Sequence, residues 1–500
     1  MDNRGALPEI KTTMARSAEK RTNPRSAGRR PADRSSNDLA AIVLAAGKGT
    51  RMRSARAKVL HELLGRPLGL YPIELARGLG AEPVLAVLGH QREAVEAVLL
   101  ARLGAGAVTV VEQTEQRGTG HAVRLAMPAL AGFRGKLLLV LYGDVPLLRR
   151  ETLAELVGTS RRYGCLSIVT TTPPDPAGYG RIVRDQRGHV MGVVEEKDAS
   201  SEERLIAEVN AGIYCGPVDF FRAATAGLSA RNAQGEYYLT DIVARAAADA
   251  KIGVTAIDAD FRDVAGINDR LQLAEAEAAM RARINRGLQA HVTFRDPASA
   301  VVEPDVQIGV DVELGRNVAL RGRTRIGHGA RIGDGVILTD VEVGAGAEIR
   351  PYTVATDASI GAGARVGPFA HLRPGSRLGA DAHVGNFVET KQTTLGRGSK
   401  ANHLSYLGDA TIGAQVNIGA GTITCNYNGY EKFRTVIEDG VAIGSDTQLV
   451  APVRVGKGAV VGAGTTVTRD VAPGALALSR VPQIEKSGYA GKVAKKYAKK

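Results

Sequence analysis

From about Val302 to Val467 small aliphatic residues recur at every sixth position, and few folds can accept that spacing. The run Val302, Ile308, Leu314, Leu320, Ile326, Ile332 sets the register. It returns at Val343 and Ile349, through Ile360, Val366, Leu372, Leu378 and Val384, at Ile412 and Ile418, and from Ile443 to Val467. Many of these residues precede Gly, as in Ile326-Gly327 and Ile418-Gly419. A fixed short period marks a solenoid, and Gly-punctuated hexads mark a parallel β-helix. Each hexad supplies one short strand with an inward aliphatic, and a corner where Gly or Asn takes positive φ. Three hexads close a triangular coil of about 18 residues, so the array predicts roughly nine coils and a prism of ~45 Å at ~4.8 Å per coil. A Gly-rich disordered segment would not keep aliphatics on a strict period.

Ahead of the repeats the pattern differs. Apolar runs at Ala40–Leu44, Pro83–Leu88, Ala107–Val111 and Leu137–Leu141 alternate with helical stretches at Tyr71–Leu79, Gln91–Ala101 and Gly120–Leu130. Such alternation implies βαβ units and a mostly parallel sheet, with ligands beyond the carboxyl ends of its strands. The alternation ends near Asn268, and Leu271–Arg286 reads as a helical connector. The expected class is therefore α/β plus all-β. The divisions are a basic extension over 1–38, a Rossmann-like mixed-sheet domain over 39–269, a linker over 270–290, a β-helix over 291–484 and a Lys-rich tail over 485–500.

The net charge of +13 suggests a nucleic-acid partner until it is located. Residues 1–37 carry nine basic and four acidic side chains, and residues 485–500 six Lys and one Glu, leaving only +3 for the body. With no Trp and 4% aromatics, stacking platforms for bases are scarce, so nucleic acid is not expected as a partner. No apolar run reaches the length of a membrane span, so no membrane association is expected. Cys165, Cys215 and Cys425 are odd in number and form no C-x-x-C pair, which fits a reducing cytoplasm. The Arg/Ser-rich start lacks an apolar core for a secretory signal and contains Asp2, Glu9, Glu19 and Asp33, unlike a transit peptide; a disordered extension is expected.

After the first strand comes Leu44-Ala45-Ala46-Gly47-Lys48-Gly49-Thr50-Arg51-Met52, then Lys58-Val59-Leu60-His61. Small residues let a backbone close on phosphate, and Arg and Lys add positive potential. On spacing alone an ordinary turn serves as well. L-A-A-G-K-G-T-R-M with K-V-L-H resembles the signature of sugar-1-phosphate nucleotidyltransferases. Gln113, Gly118-Thr119, Tyr142-Gly143-Asp144, Gly178–Arg181, Glu195, Asn210, the phrase Gln234–Asp241 and Asn268 follow in order. With the hexads, they resemble the bacterial bifunctional N-acetylglucosamine-1-phosphate uridylyltransferase/glucosamine-1-phosphate acetyltransferase family over about Leu39 to Arg480.

That resemblance implies the following. Leu44, Ala45, Ala46, Gly47, Gln113, Gly118 and Thr119 hold the uridine nucleotide, and Gly180, Glu195 and Asn210 the N-acetylglucosamine moiety. Arg51 and Lys58 neutralise charge on the phosphates, while Asp144 and Asn268 hold Mg²⁺ with Tyr142 and Gly143 beside them. In the repeats, His403 within S-K-A-N-H-L-S-Y-L-G-D accepts a proton from the amine of the amino sugar, with Glu389 as the partner that orients it. Arg373, Lys391, Tyr406 and Asn417 bind glucosamine-1-phosphate. Ala420, Ser445, Ala463 and Arg480 contact acetyl-CoA, with Asn426 and Tyr427 next to them. The family further implies a left-handed coil and a homotrimer. The chain departs from the family at Ala57, where Pro is usual, and at Glu196, where His is common and which reads as a surface change. The Lys-rich tail either assists coenzyme A electrostatically or is merely solvated. Two other readings remain: a nucleotidyltransferase whose β-helix is only an assembly scaffold, and a non-catalytic binding protein.

Overall fold

The computed structural model describes residues 38–498. The extension expected over 1–38 therefore lies, except for Asp38, outside the described residues. The head is built on a nine-stranded sheet whose main row has seven strands, β1 (Leu39–Ala45), β2 (Val84–Leu88), β3 (Thr109–Glu112), β4 (Leu137–Tyr142), β5 (Leu166–Thr171), β6 (Val209–Pro217) and β7 (Val254–Asp258), with the hairpin Arg181–Arg184 and Val190–Val194 joined to β6 off that row. The seven lie in the order β7-β5-β6-β4-β1-β2-β3. Only β6 runs antiparallel to its neighbours in this row, so the sheet is mixed as expected. Alternate residues of β1 serve opposite layers: Leu39, Ala41 and Val43 enter one core, and Ala40, Ile42 and Leu44 the other. A strand apolar at every position is what burial on both faces demands.

The connector helix runs over Arg270–Leu288, its first turn capped by Asp269, whose carboxylate accepts from Gln272 N. It does not hang free. Ala276 and Met280 pack on Leu63, Leu64, Leu68, Leu147 and Ile267 of the head. Arg283 donates to Leu147 O at 2.7 Å, and buried Asn285 donates to Pro297 O and Ala300 O at the foot of the prism. Arg66 of the head also pairs with Asp305 of the first coil, so the two halves are tied on either side of the helix.

The prism carries eleven strands on one face, from Val292–Phe294 to Leu476–Ala477, and seventeen on the other two. Every inter-coil pairing is parallel; most are offset by 18 residues (Val301↔Ala319) or 17 (Arg331↔Glu348), with 20 at the first rung (Val292↔Val312) and 16 at the last (Val460↔Leu476). The nine coils expected from the hexads are present, with one further rung at each end that no Gly follows. The inward aliphatics form one buried column. A second small residue two positions earlier, Ala347 before Ile349 or Ala382 before Val384, fills each corner and is equally buried. At several corners where that residue is polar its hydroxyl closes the turn, as Thr353 does on Arg350 O at 2.9 Å, whereas the buried hydroxyls of Thr435 and Thr465 find no partner. One excursion breaks the period: between Ala410 and Thr435 the offset becomes 25 residues.

At most corners positive φ falls to Gly or Asp, but one corner is different. Tyr352, Phe369 and Phe387 take φ of 59°, 54° and 56°, and Leu404 continues the column at 46°. Bulky residues in this region are strained and need a reason. The three rings stack at 5.2 and 5.5 Å with interplanar angles of 9° and 10°, and each is about half exposed.

Candidate functional sites in the head and on the prism

In the head, topology does the gathering. β1 and β4 are neighbours in parallel register, ending at Leu44↔Tyr142, so the segments that follow them emerge side by side. Gly143 N donates to Leu44 O at 2.8 Å, and Ile267 N to Asp144 O at 2.9 Å, which delivers Asn268 to the same place. The Lys58 ammonium is paired with Asp144 and lies 3.3 Å from Asn268 Oδ1, while Arg51 donates to that oxygen at 2.9 Å. Thus a carboxylate and an amide oxygen, 124 positions apart in number, face one cationic point. Gly49 (φ 61°) is obligatory here, because a Cβ would lie 2.6 Å from Lys58 Cβ.

Leu44, Ala45, Ala46, Gly47, Lys58, Gln113, Gly118, Thr119, Tyr142 and Asp144 line one cavity of about 280 Å³. Gln116, donating to Ala46 O at 2.8 Å, and Glu236 line it too and were not singled out by sequence. The signal was available: Gln116 belongs to the polar run before the Gly118 turn, and Glu236 to the Gln234–Asp241 phrase. Tyr142 joins this cavity to the group expected to hold the sugar. Gly212 packs against its ring, where a Cβ would come within 2.4 Å, and Asn210 Oδ1 accepts from Gly212 N. Glu195 accepts from Thr240 at 2.8 Å, and burial pushes its carboxyl above the ordinary range. Asn210 N donates to Gly180 O, closing the set.

Two departures from the family pattern acquire reasons. Glu196 is not a surface change: it pairs at 2.8 Å with Arg181, whose side chain is 2% exposed, and accepts from Gly178 N at 3.3 Å. Ala57 takes φ −55° and ψ 141°, and its amide donates to Gln91 Oε1 at 2.9 Å, while Gln91 Nε2 donates to Ala55 O. Gln91 thus clamps the strand of loop leading into Lys58.

On the prism the sites stack instead of converging. Arg373, then Glu389 and Lys391 together, then Tyr406 lie on three successive rungs of one face. Arg373 pairs with Glu389 at 2.8 Å, a bond that raises the guanidinium pKa. Lys391 lies 3.7 Å from Asp409, and Asp409 also accepts from Asn426. The 426–434 excursion brings a residue the sequence reading missed, Lys432. The Lys391 ammonium beside it pushes the Lys432 amine below its ordinary value. Three cations thus crowd one spot. Tyr427 lies on the same excursion, exposed.

His403 ends a strand on the adjoining face, at the corner. Its Nδ1 lies 3.0 Å from Asn386 Oδ1, one coil below, and not against Glu389, whose carboxylate is engaged with Arg373. The polar contact of the imidazole is thus with Asn386, and the contact expected with Glu389 is not seen among the described residues. Beyond His403 the register continues through Ala420, Ser445 and Ala463, an avenue of small residues along the same edge. Arg480, donating to Ala463 O at 3.3 Å, stands at its far end. Asn417 is exposed on the outer side of the His403 face, paired in register with Lys400, and does not join Arg373 and Lys391.

Comparison with known proteins follows this division. Residues 41–224 match the MobA-like NTP transferase domain, and residues 434–469 the bacterial transferase hexapeptide (six repeats). The chain is 48% identical over 461 residues to the bifunctional protein GlmU of Pelobacter propionicus, covering 92% of this chain and 99% of that one. It is 52% identical over 458 residues to that of Sorangium cellulosum, covering 90% and 96%. With one family model matched in each part of the chain and relatives that align nearly end to end, the chain belongs to the bifunctional GlmU family.

Proposed function

We infer that the chain catalyses two successive transfers. Acetyl passes from acetyl-CoA to glucosamine-1-phosphate on the prism, and uridylyl then passes from UTP to N-acetylglucosamine-1-phosphate in the head, releasing pyrophosphate. The observation that carries this reading is the presence on one prism of an exposed imidazole and of the crowded cations Arg373, Lys391 and Lys432, which an assembly scaffold would not need. Their mutual repulsion is relieved by an anion, and a sugar phosphate supplies one.

At the prism, the amine nitrogen attacks the thioester carbonyl, its proton passes to His403, and coenzyme A leaves as the thiolate. Arg373 and Lys391 hold the phosphate, with Tyr406 for sugar hydroxyls. The avenue Ala420–Ser445–Ala463 suits a long thin cofactor whose phosphates reach Arg480. In the head, the attacking group is a phosphate oxygen, already anionic, so no general base is required; Arg51 and Lys58 offset charge on the α-phosphate and the departing pyrophosphate. Asp144 and Asn268 fit Mg²⁺, which takes few protein oxygens and completes its shell from phosphates and water. The ion supplies charge neutralisation on the phosphates. A chelator that spares pyrophosphate release would remove it.

The half-exposed stack Tyr352–Phe369–Phe387 and the splitting of site residues between two faces support a homotrimer in which a neighbour completes each acetyl site. Sedimentation as a monomer would rule that out. Three unpaired thiols fit a cytoplasmic location, testable by fractionation. Among the described residues no helix is long and apolar enough to cross a membrane.

Thiol and pyrophosphate release, followed separately with glucosamine-1-phosphate, acetyl-CoA, UTP and Mg²⁺, test the whole. His403→Ala is expected to lose thiol release by ~10²–10⁴-fold while keeping pyrophosphate release from supplied N-acetylglucosamine-1-phosphate. Asp144→Ala is expected to do the reverse. Loss of both activities from either change in folded protein would refute two separate sites.

A further inference from the structure

The strands that carry Asn386 and His403 are unlike their neighbours. Most rungs on this face are two residues long, whereas His383–Asn386 and Lys400–His403 have four, and their pairing extends into the corner as Asn386↔His403. Gly385 makes that extension possible. A Cβ there would stand 1.9 Å from Asn402 O, so only glycine lets the two rungs close. The closure brings the Asn386 carboxamide under the imidazole, with Oδ1 3.0 Å from Nδ1.

The geometry points to Asn386 as the positioning residue of the acetyl-transfer reaction: its oxygen takes the Nδ1 proton of His403 and so leaves Nε2 as the proton acceptor. This rests on His403 being the base. A carboxamide oxygen only accepts, so the contact requires a hydrogen on Nδ1 and fixes the tautomer. A neutral partner has a second consequence. A carboxylate in the same place would favour the imidazolium and withhold the base at neutral pH, whereas an amide orients the ring without adding charge. Glu389, on the adjoining face, is tied to Arg373. The other ionisable or polar groups on the packed elements are His383, Lys400 and Asn402 on the two paired strands, Asn417 on the next rung, Ser405, which donates to His403 O at 2.8 Å, and Tyr406 on the adjoining face.

The test compares Asn386→Ala, Asn386→Asp and His403→Ala by thiol release across pH, with pyrophosphate release from the same preparations as the check on folding. Asn386→Ala is expected to lower kcat by about 10–100-fold with little change in KM, the usual cost of losing a ligand's orienting partner. Asn386→Asp keeps an acceptor in place, so activity should return at high pH while the acid limb of the profile moves to higher pH. Unchanged kcat in Asn386→Ala, or an unshifted acid limb in Asn386→Asp, would overturn the assignment of Asn386 while leaving the base in place. Full thiol release by His403→Ala would instead overturn the reading of the base itself.

Discussion

Head and prism assemble their sites by opposite means. In the head, Gly47, Gln113, Asp144 and Asn268 meet because four distant segments leave a sheet at one edge, and no spacing between them predicts the meeting. In the prism, Asn386 meets His403 and Glu389 meets Tyr406 because each pair is 17 residues apart, one short coil. A contact in the prism can be found by adding a coil length. A contact in the head needs the topology first. The two halves should therefore fail differently when single positions are changed.

The largest expected effect is at Gly385. An added methyl cannot be accommodated 1.9 Å from a backbone carbonyl without spreading the rungs, and displacement of the base by about an ångström is worth ~10²-fold in rate. Gly385→Ala should abolish acetyl transfer and spare uridylyl transfer, because a stacked array passes strain only to its neighbours. The head counterpart is Gly212→Ala, with φ of 77° and a Cβ 2.4 Å from the Tyr142 ring, which should do the converse. Assaying both products for both variants checks the contrast; loss of both activities from Gly385→Ala would break it.

This difference also decides what could be read from the sequence. The prism's axis, its faces and nine of its coils follow from the hexads, since one aliphatic per strand repeats along most of the array. They did not reveal that four bulky residues would occupy positive φ at one corner, because stacking between coils overrides the local preference that favours Gly there. In the head, strands and helices were legible from apolar runs, but Asn268 reached Asp144 only through family likeness. Lys432 was missed because it carries no periodic signal, lying in the one excursion that breaks the register. Glu196 was misjudged because pairing with a buried partner leaves no trace in a neighbouring residue's identity.

Glu196 gives an effect of intermediate size. Its loss leaves the buried Arg181 guanidinium without its carboxylate and frees Gly178 N, and Arg181 Nε already has no partner. Because Glu196 is itself partly solvated, the cost should be near the ~1–3 kcal/mol of an unsatisfied buried group and below that of a fully buried pair. Denaturant unfolding of Glu196→Ala should show this loss in the head transition, with the prism transition unmoved. An equal shift in both would mean that the halves unfold as one unit, and the contrast between them would not extend to stability.

The smallest expected effect concerns Ala57 and Gln91, and it asks how finely the head must hold Lys58. Ala57 has the φ that a proline ring would impose, but in its place the chain uses two hydrogen bonds from one glutamine. Each such bond is worth about 1 kcal/mol net, so losing both in Gln91→Ala should lower the rate of pyrophosphate release by no more than ~30-fold. Ala57→Pro alone should be close to neutral. It restricts the unfolded chain, a gain of about 0.4–1 kcal/mol, but removes the N–H that Gln91 Oε1 accepts. Combined with Gln91→Ala it should restore most of the lost rate, because the ring then supplies the restraint the glutamine no longer gives. Additive losses in the double variant would show that the clamp acts on something other than the conformation of residue 57. An undiminished rate in Gln91→Ala would show that the Lys58 pairing with Asp144 fixes the loop by itself, a site in the head then held at one point as firmly as a rung of the prism is held along its length.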